Sequence, residues 1–341
     1  MQVKLVKDKN GIEFYSIPYL YDIQKELLEL LKIIDKVAKD NNIKYWIDGG
    51  TLLGAIRHKS FIPWDDDIDV CLMKDEYDRF LPLLNDYIKT DKHRSLLYYN
   101  NKEYHYWFEY FMSDKIIVEY NGVRRPVRID IFPMKLVEND LESIEKDKYI
   151  TDKAYYFIKG KVKYHNKIKN KYKYKKLNEG LNKKNTFLTY FNNEYLLQKF
   201  TNKNKDNLLV NYSFGDIYVG KERDYFKYTD IFPIKNIEFE ACKFMCPNNT
   251  DVYLKTLYGD YMQLPSLENR IQVHNSKIIV NDSVITKKEI NSLLKEQDEL
   301  FFKVDKLSYK LFILYRQTIS NGFVDTYNSI IKPFIIRKLN K

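Results

Sequence analysis

An α+β fold is what the sequence predicts, on three observations. Leu20, Ile23, Leu27, Leu30, Leu31, Ile34 and Val37 recur at the spacing of one helix face. Short apolar runs bounded by glycine or polar residues, at Ile43 to Ile47, Asp67 to Met73 and Val127 to Phe132, have the character of strands instead. Between Lys153 and Lys184 the composition shifts to twelve lysines and one acid, Glu179, which predicts a basic, mainly helical insertion in the α+β core.

In chain order, the first helix is expected over about 20–40 and is ended by Asn41-Asn42. Ile43 to Ile47 then reads as a strand running into the turn Gly49-Gly50, and Thr51 is expected to cap a short helix reaching Arg57. Residues 67–73 form the second strand. A two-residue period puts Asp65, Asp67 and Asp69 on one face of it and Asp66 on the other. Lys74-Asp75-Glu76 opens a helix in which Pro82 calls for a kink or a position near an end. Strand-like segments follow at 96–100, 104–112, 115–120 and 127–132, the last with the lone acid Asp130. Residues 139–200 read as helical, 206–232 as mixed, Val252 to Tyr258 as a short helix closed by Gly259, and 287–318 as one or two helices.

A chain of 341 residues buries a sizeable core, and its 30 tyrosines and 20 phenylalanines supply both burial area and rings able to face a cation. Cys71, Cys242 and Cys246 are too few for a disulfide framework, which fits a reducing cytosol. Cys242 and Cys246 are placed on one face of a helix, but two thiols without a nearby His make a poor zinc site. Met1 to Asn10 lacks the apolar core of a signal peptide, and no run reaches the roughly 18 apolar residues of a membrane span. A cytoplasmic location is expected, with peripheral contact at the inner face of the membrane. The net charge of +10 rests largely on the lysine-rich segment, which suits anionic lipid, nucleic acid or a polyanionic substrate, or is simply a solvated helix face. The tail from Lys306 has no acid after Asp325 and could lie on a membrane surface or pack against the body.

The chemistry centres on Asp48-Gly49-Gly50-Thr51-Leu52-Leu53-Gly54-Ala55 and Phe61-Ile62-Pro63-Trp64-Asp65-Asp66-Asp67-Ile68-Asp69-Val70. Glycines after a strand let backbone N–H groups approach phosphate oxygens, with Thr51 adding a hydroxyl. Clustered aspartates repel one another, and oxygen ligands of this kind select Mg²⁺ or Mn²⁺. Asp67 and Asp69 are the best pair to bridge an ion, and Asp130 supplies a third carboxylate as ligand or base, or is simply a buried acid held by Arg124, Arg125 or Arg128. Arg57, His58 and Lys59 are placed to contact phosphate or to compensate charge. Trp64 shapes the approach to the strand, with contact to a nucleobase or quaternary ammonium as the alternative.

The run from Tyr45 to Val70 closely resembles the LicD family of phosphotransferases, and the resemblance continues at Ile129-Asp130-Ile131-Phe132-Pro133, Phe232-Pro233, Cys246-Pro247-Asn248-Asn249, Tyr253-Leu254, Leu257 to Tyr261, Leu264-Pro265 and His274. It covers roughly residues 20–135 and 225–275. It implies a nucleotidyltransferase-like fold, a mixed β-sheet flanked by helices. The organisation expected is a catalytic core over 1–140, the basic helical insertion over 141–205, the second part of the catalytic domain over 206–285 and a helical basic tail over 286–341. By resemblance, phosphocholine passes from CDP-choline to a sugar hydroxyl of a surface glycan, such as teichoic acid, lipopolysaccharide or a lipid-linked precursor, with CMP leaving. Asp67 and Asp69 then hold the metal with Asp65 and Asp130, while Gly49, Gly50, Thr51, Arg57 and Lys59 face the donor. The related fukutin group uses CDP-ribitol and often carries a zinc-binding cysteine cluster that this chain lacks. Glu240-Ala241 departs from a frequent glycine and leaves that turn open. Other expectations are the same chemistry with CDP-ribitol, CDP-glycerol or CDP-ethanolamine, or nucleotide addition; nucleic-acid binding through the lysines is the weaker prospect.

Overall fold

The computed structural model describes residues 4–17, 19–99, 108–120, 123–158, 190–198, 200, 204–213, 225–271 and 277–280. The chain divides into two compact units, Met1–Val284 and Ile285–Lys341, and every described residue belongs to the first. The expected tail over 286–341, the helices over 287–318, His274 and most of the lysine-rich stretch lie outside the described residues.

The first unit begins with the hairpin β1 (Lys4–Lys7) and β2 (Glu13–Ser16), then α1 (Leu20–Asp40), β3 (Trp46–Ile47), α2 (Gly49–Arg57), β4 (Ile68–Met73) and α3 (Lys74–Ile88). It continues through β5 (Arg94–Leu96), β6 (Glu109–Tyr120), β7 (Val123–Glu138) and α4 (Leu141–Ile158), with a π-helical turn at Phe191–Tyr195. After β8 (Leu208–Tyr212) and β9 (Phe226–Lys227) come α5 (Tyr228–Ile231), the hairpin β10 (Lys235–Phe239) and β11 (Cys242–Cys246), α6 (Thr250–Tyr258) and β12 (Lys277–Val280).

The main sheet is mixed and runs β12-β6-β7-β4-β3, with β5 on β6 and β8 followed by β9 on β7. Only the β4–β7 pair is parallel among the described strands, and it aligns Ile68 with Ile129 and Asp69 with Asp130. Along β7 the residues alternate: Val127, Ile129 and Ile131 are buried in the core, while Arg128, Asp130 and Phe132 are half-buried on the other face. α1 packs on β6 and β7 and fills the apolar side with Ile23, Leu27, Leu30, Leu31 and Ile34, all fully buried, as the helical period predicts. Their burial closes one side of the sheet. The acids are left on the side that α1 does not cover.

Several local expectations are corrected. β3 is confined to Trp46–Ile47 rather than starting at Ile43. The α2 helix starts at Gly49 with Asp48 as its N-cap and no side-chain cap, so Thr51 lies inside the first turn and does not cap it. Of the segments expected at 104–112 and 115–120, 104–107 lie outside the described residues, and Glu109–Tyr120 form the one strand β6, whose register shifts between Ser113 and Ile117. Pro82 lies within α3. Cys242 and Cys246 lie on β11, not on a helix. Lys153, counted with the basic surface, is fully buried on α4. That helix is tied to the sheet by Asp147, which accepts from Tyr225 at 2.7 Å and Asn211 at 3.2 Å and lies 3.3 Å from the buried Lys135 Nζ. Among the described residues no helix is long and apolar enough to cross a membrane.

Candidate active site

The acids gather where α2 meets β4. The Asp48 N–H donates to the Asp69 carbonyl at 3.0 Å, and the Asp69 N–H donates to Thr51 Oγ1 at 3.0 Å. Both backbone groups of Asp69 are thereby held by the first turn of α2. The buried Thr51 oxygen is engaged in holding β4, a role the sequence reading did not give it. Gly49 and Gly50 allow the close approach: a Cβ at Gly49, where φ is +52°, would lie 3.0 Å from Asp69 Oδ2, and one at Gly50 would lie 2.6 Å from Asp65 Oδ2. Gln24 Nε2 on α1 donates to the Asp65 carbonyl at 2.9 Å.

β4 begins only at Ile68, so Asp65 and Asp67 precede the strand on whose face they were expected, yet the exposure alternates as expected: Asp65, Asp67 and Asp69 are half-buried whereas Asp66, Ile68 and Val70 are buried. Burial, followed by the charges of Asp67, Asp130, Asp48 and Asp65, holds the Asp69 carboxyl well above the usual carboxylate range. Asp130 stands opposite Asp69 on the parallel neighbour strand, and Arg128, one of the three arginines expected to hold it, has its Nε 3.3 Å from Asp130 Oδ1.

Behind these acids is Asp48, which the sequence reading did not single out. Its carboxylate is buried and accepts from Tyr253 Oη at 2.7 Å, from Cys71 Sγ at 3.2 Å and from Tyr212 Oη. Trp46 Nε1 in turn donates to Tyr253 Oη at 3.2 Å. Burial, then the Asp48 charge, pushes the Tyr212, Tyr253 and Cys71 groups well up, so all three stay protonated donors. Tyr258 closes the other side. The residue is 45% exposed, but its hydroxyl turns inward and comes within 3.5 Å of where a Gly49 Cβ would stand. Burial and the charges of Asp48, Asp69, Asp65 and Asp67 raise its pKa well above that of a free phenol.

The basic triplet separates. Arg57 donates to the Tyr261 carbonyl at 2.7 Å and to His58 Nε2 at 2.9 Å. Burial and then Arg270 lower its pKa, with Asp65 opposing them, so Arg57 stands at the edge of the acids. His58 is buried and pushed down to about 4, first by burial and then by Arg57, and is neutral. Lys59 is exposed at φ +56°, and its carbonyl accepts from Glu240 N–H, so its described contact is with the β10–β11 hairpin rather than with the acids. Trp64 packs among Phe14 and His58 with 8% of its surface exposed, which gives the indole a structural role.

As they stand, no three His, Cys, Asp or Glu side chains among the described residues converge tightly enough to enclose an ion. The set still fits one chemically. The carboxylates are hard oxygen donors of the kind Mg²⁺ and Mn²⁺ take, their mutual repulsion calls for a cation, and the two glycines leave the acids room that side chains would fill.

Comparison with known proteins bears on the same segment. Residues 42–169 match the family described as LicD/FKTN/FKRP, nucleotidyltransferase domain. The lipopolysaccharide cholinephosphotransferase LicD of Haemophilus influenzae is 29% identical over 270 residues, which cover 75% of this chain and 96% of that protein. A Rickettsia prowazekii protein of unassigned function is 50% identical over 50 residues, 15% of this chain and 19% of its own length. The human ribitol 5-phosphate transferase FKRP is 41% identical over 46 residues, 14% of this chain and 9% of that protein. Tyr212, Tyr253 and Tyr258, which complete the site, all fall outside the segment matched to the family.

Proposed function

We propose that this phosphotransferase, which is similar to the LicD family over residues 42–169, moves phosphocholine from CDP-choline to a sugar hydroxyl of a cell-surface glycan or lipid-linked precursor, with CMP released. The observation that carries this reading is the pairing of Asp69 and Asp130 at one register position of two parallel strands, with Asp65 and Asp67 beside them. The Haemophilus relative, matched over nearly its whole length, supports phosphocholine as the group moved. The shorter likeness to a ribitol 5-phosphate transferase keeps CDP-ribitol, and with it CDP-glycerol and CDP-ethanolamine, as the second reading.

Asp67 and Asp69, joined by Asp65 and Asp130, would hold Mg²⁺ or Mn²⁺, which when bound supplies neutralisation of the phosphate oxygens and alignment of the reacting groups. The chain's own residues do the rest. Gly49 and Gly50 keep the backbone close to the acids, and Thr51 and Asp48 fix Asp69. Asp130 takes the proton of the acceptor hydroxyl as its oxygen forms the new bond to phosphorus and the bond from phosphorus to the CMP oxygen breaks. Arg57 at the cluster edge offers charge to the leaving nucleotide.

Donor competition tests the reading. CMP release measured with CDP-choline, CDP-ribitol, CDP-glycerol and CDP-ethanolamine should favour CDP-choline; preference for another donor keeps the chemistry and changes the product, and turnover of CTP alone moves the chain to nucleotide addition.

A further inference from the structure

Arg125 and Arg128 precede Asp130 on β7, and their side chains line one cleft together with Asp66, Asp67 and Asp130. Neither arginine has a role in the chemistry above. The Arg128 guanidinium lies 3.6 Å from the centre of the Tyr110 ring and is anchored through Nε to Asp130 at 3.3 Å. Stacking on a ring face fixes the plane of the N–H fork without consuming a donor, which is the arrangement that suits phosphate oxygens. Arg125 lies close enough to Arg128 for their charges to oppose, with Asp130 and Asp66 offsetting that repulsion. The glycines back on Asp65 and Asp69, whereas the cleft is bordered by Asp67 and Asp130. Once a cation neutralises Asp67 and Asp130, the two guanidiniums outweigh the remaining acid of the cleft, Asp66, and the charge facing it is positive.

We infer that Arg125 and Arg128 form a phosphate-binding pair that holds a phosphate group beside the acids. This rests on the phosphotransferase reading, and the phosphate comes from one of two sources: the diphosphate of the nucleotide donor, or a phosphate carried by the acceptor. A bidentate guanidinium contact to phosphate is strong enough that its loss weakens binding about tenfold or more.

Calorimetric titration of the full chain in Mg²⁺ with CDP and, separately, with glucose 6-phosphate tests the pair in wild type, Arg125→Gln, Arg128→Gln and Arg128→Lys. The expected result is a loss of about tenfold or more in the two Gln variants, at unchanged melting temperature and with a shallower dependence on salt. Arg128→Lys, which keeps the charge on a similar stem, guards against a variant that fails to fold and should lose less. Loss on CDP assigns the donor diphosphate; loss on glucose 6-phosphate alone assigns the acceptor. Unchanged binding of both probes, or binding of neither by the wild type, overturns the inference. CMP release is scored separately, so wild-type protein that binds CDP through these arginines but turns over no CDP-alcohol upholds the pair and removes the transferase reading.

Discussion

Replacing Gly50 by alanine separates stability from chemistry. Gly50 sits in the first turn of α2, where alanine is the better helix former by about 1 kcal/mol, so the helix itself gains. The added Cβ, however, would lie 2.6 Å from Asp65 Oδ2, against 3.4–4 Å for ordinary contact, so the carboxylate must retreat by about 0.8 Å. An error of that size in a group that aligns reacting atoms costs about 100-fold in rate. The assay is a thermal melt beside a Mg²⁺ titration of CMP release from CDP-choline. A melting temperature at or above that of the wild type, with release reduced about 100-fold and a higher Mg²⁺ requirement, is expected. Full activity at unchanged Mg²⁺ demand would refute the claim that close approach of the glycine turn sets the position of Asp65.

Other perturbations probe the frame around the site. Asp48→Asn puts an amide against the hydroxyls of Tyr212 and Tyr253 and the thiol of Cys71, and denaturant unfolding should register a loss of about 3 kcal/mol. Glu109 is buried, and burial raises its carboxyl from 4.5 to about 7 although backbone N–H groups of Tyr98 and Tyr110 donate to it. The folded state therefore keeps a proton that the unfolded chain gives up between those values. Its share of stability is complete below about pH 4.5 and falls by about 3 kcal/mol as pH rises through 7, a slope that Glu109→Gln should abolish in urea melts across pH 4 to 8. Glu240 and Ala241 both adopt positive φ in the turn between β10 and β11, so Ala241→Gly should raise stability by about 0.5 to 1 kcal/mol, read as a higher melting temperature.

Much of this was legible in the chain because local pattern and tertiary placement agree. The period of α1 names one buried face, the continuous apolar run of β4 marks a strand buried on both faces from Val70 to Leu72, and the exposure alternates from Asp67 to Val70 as the residue types do. Asp130 was legible as a lone acid in an apolar strand, but its alignment with Asp69 depends on a parallel pairing across some sixty residues that no local signal reports. Asp48 carried the same kind of signal, an acid ending an apolar strand. Its partners Tyr212 and Tyr253 lie 164 and 205 positions away, so its role appears only in three dimensions. Cys242 and Cys246 share a face at four-residue spacing in a strand as in a helix, and that spacing could not choose between them. Lys153 belongs by composition to the basic stretch and by burial to the core of α4's packing.

The central claim is that the carboxylates around Asp69 act by holding a divalent ion for phosphoryl transfer. It is tested most directly by CMP release from CDP-choline across a Mg²⁺ titration, in wild type and in Asp69→Asn, with melting curves to show that both are folded. The account predicts saturable Mg²⁺ dependence in the wild type and a loss of two or more orders of magnitude in the folded variant. Release that persists in chelator, or an Asp69→Asn protein working at the wild-type rate, would contradict it.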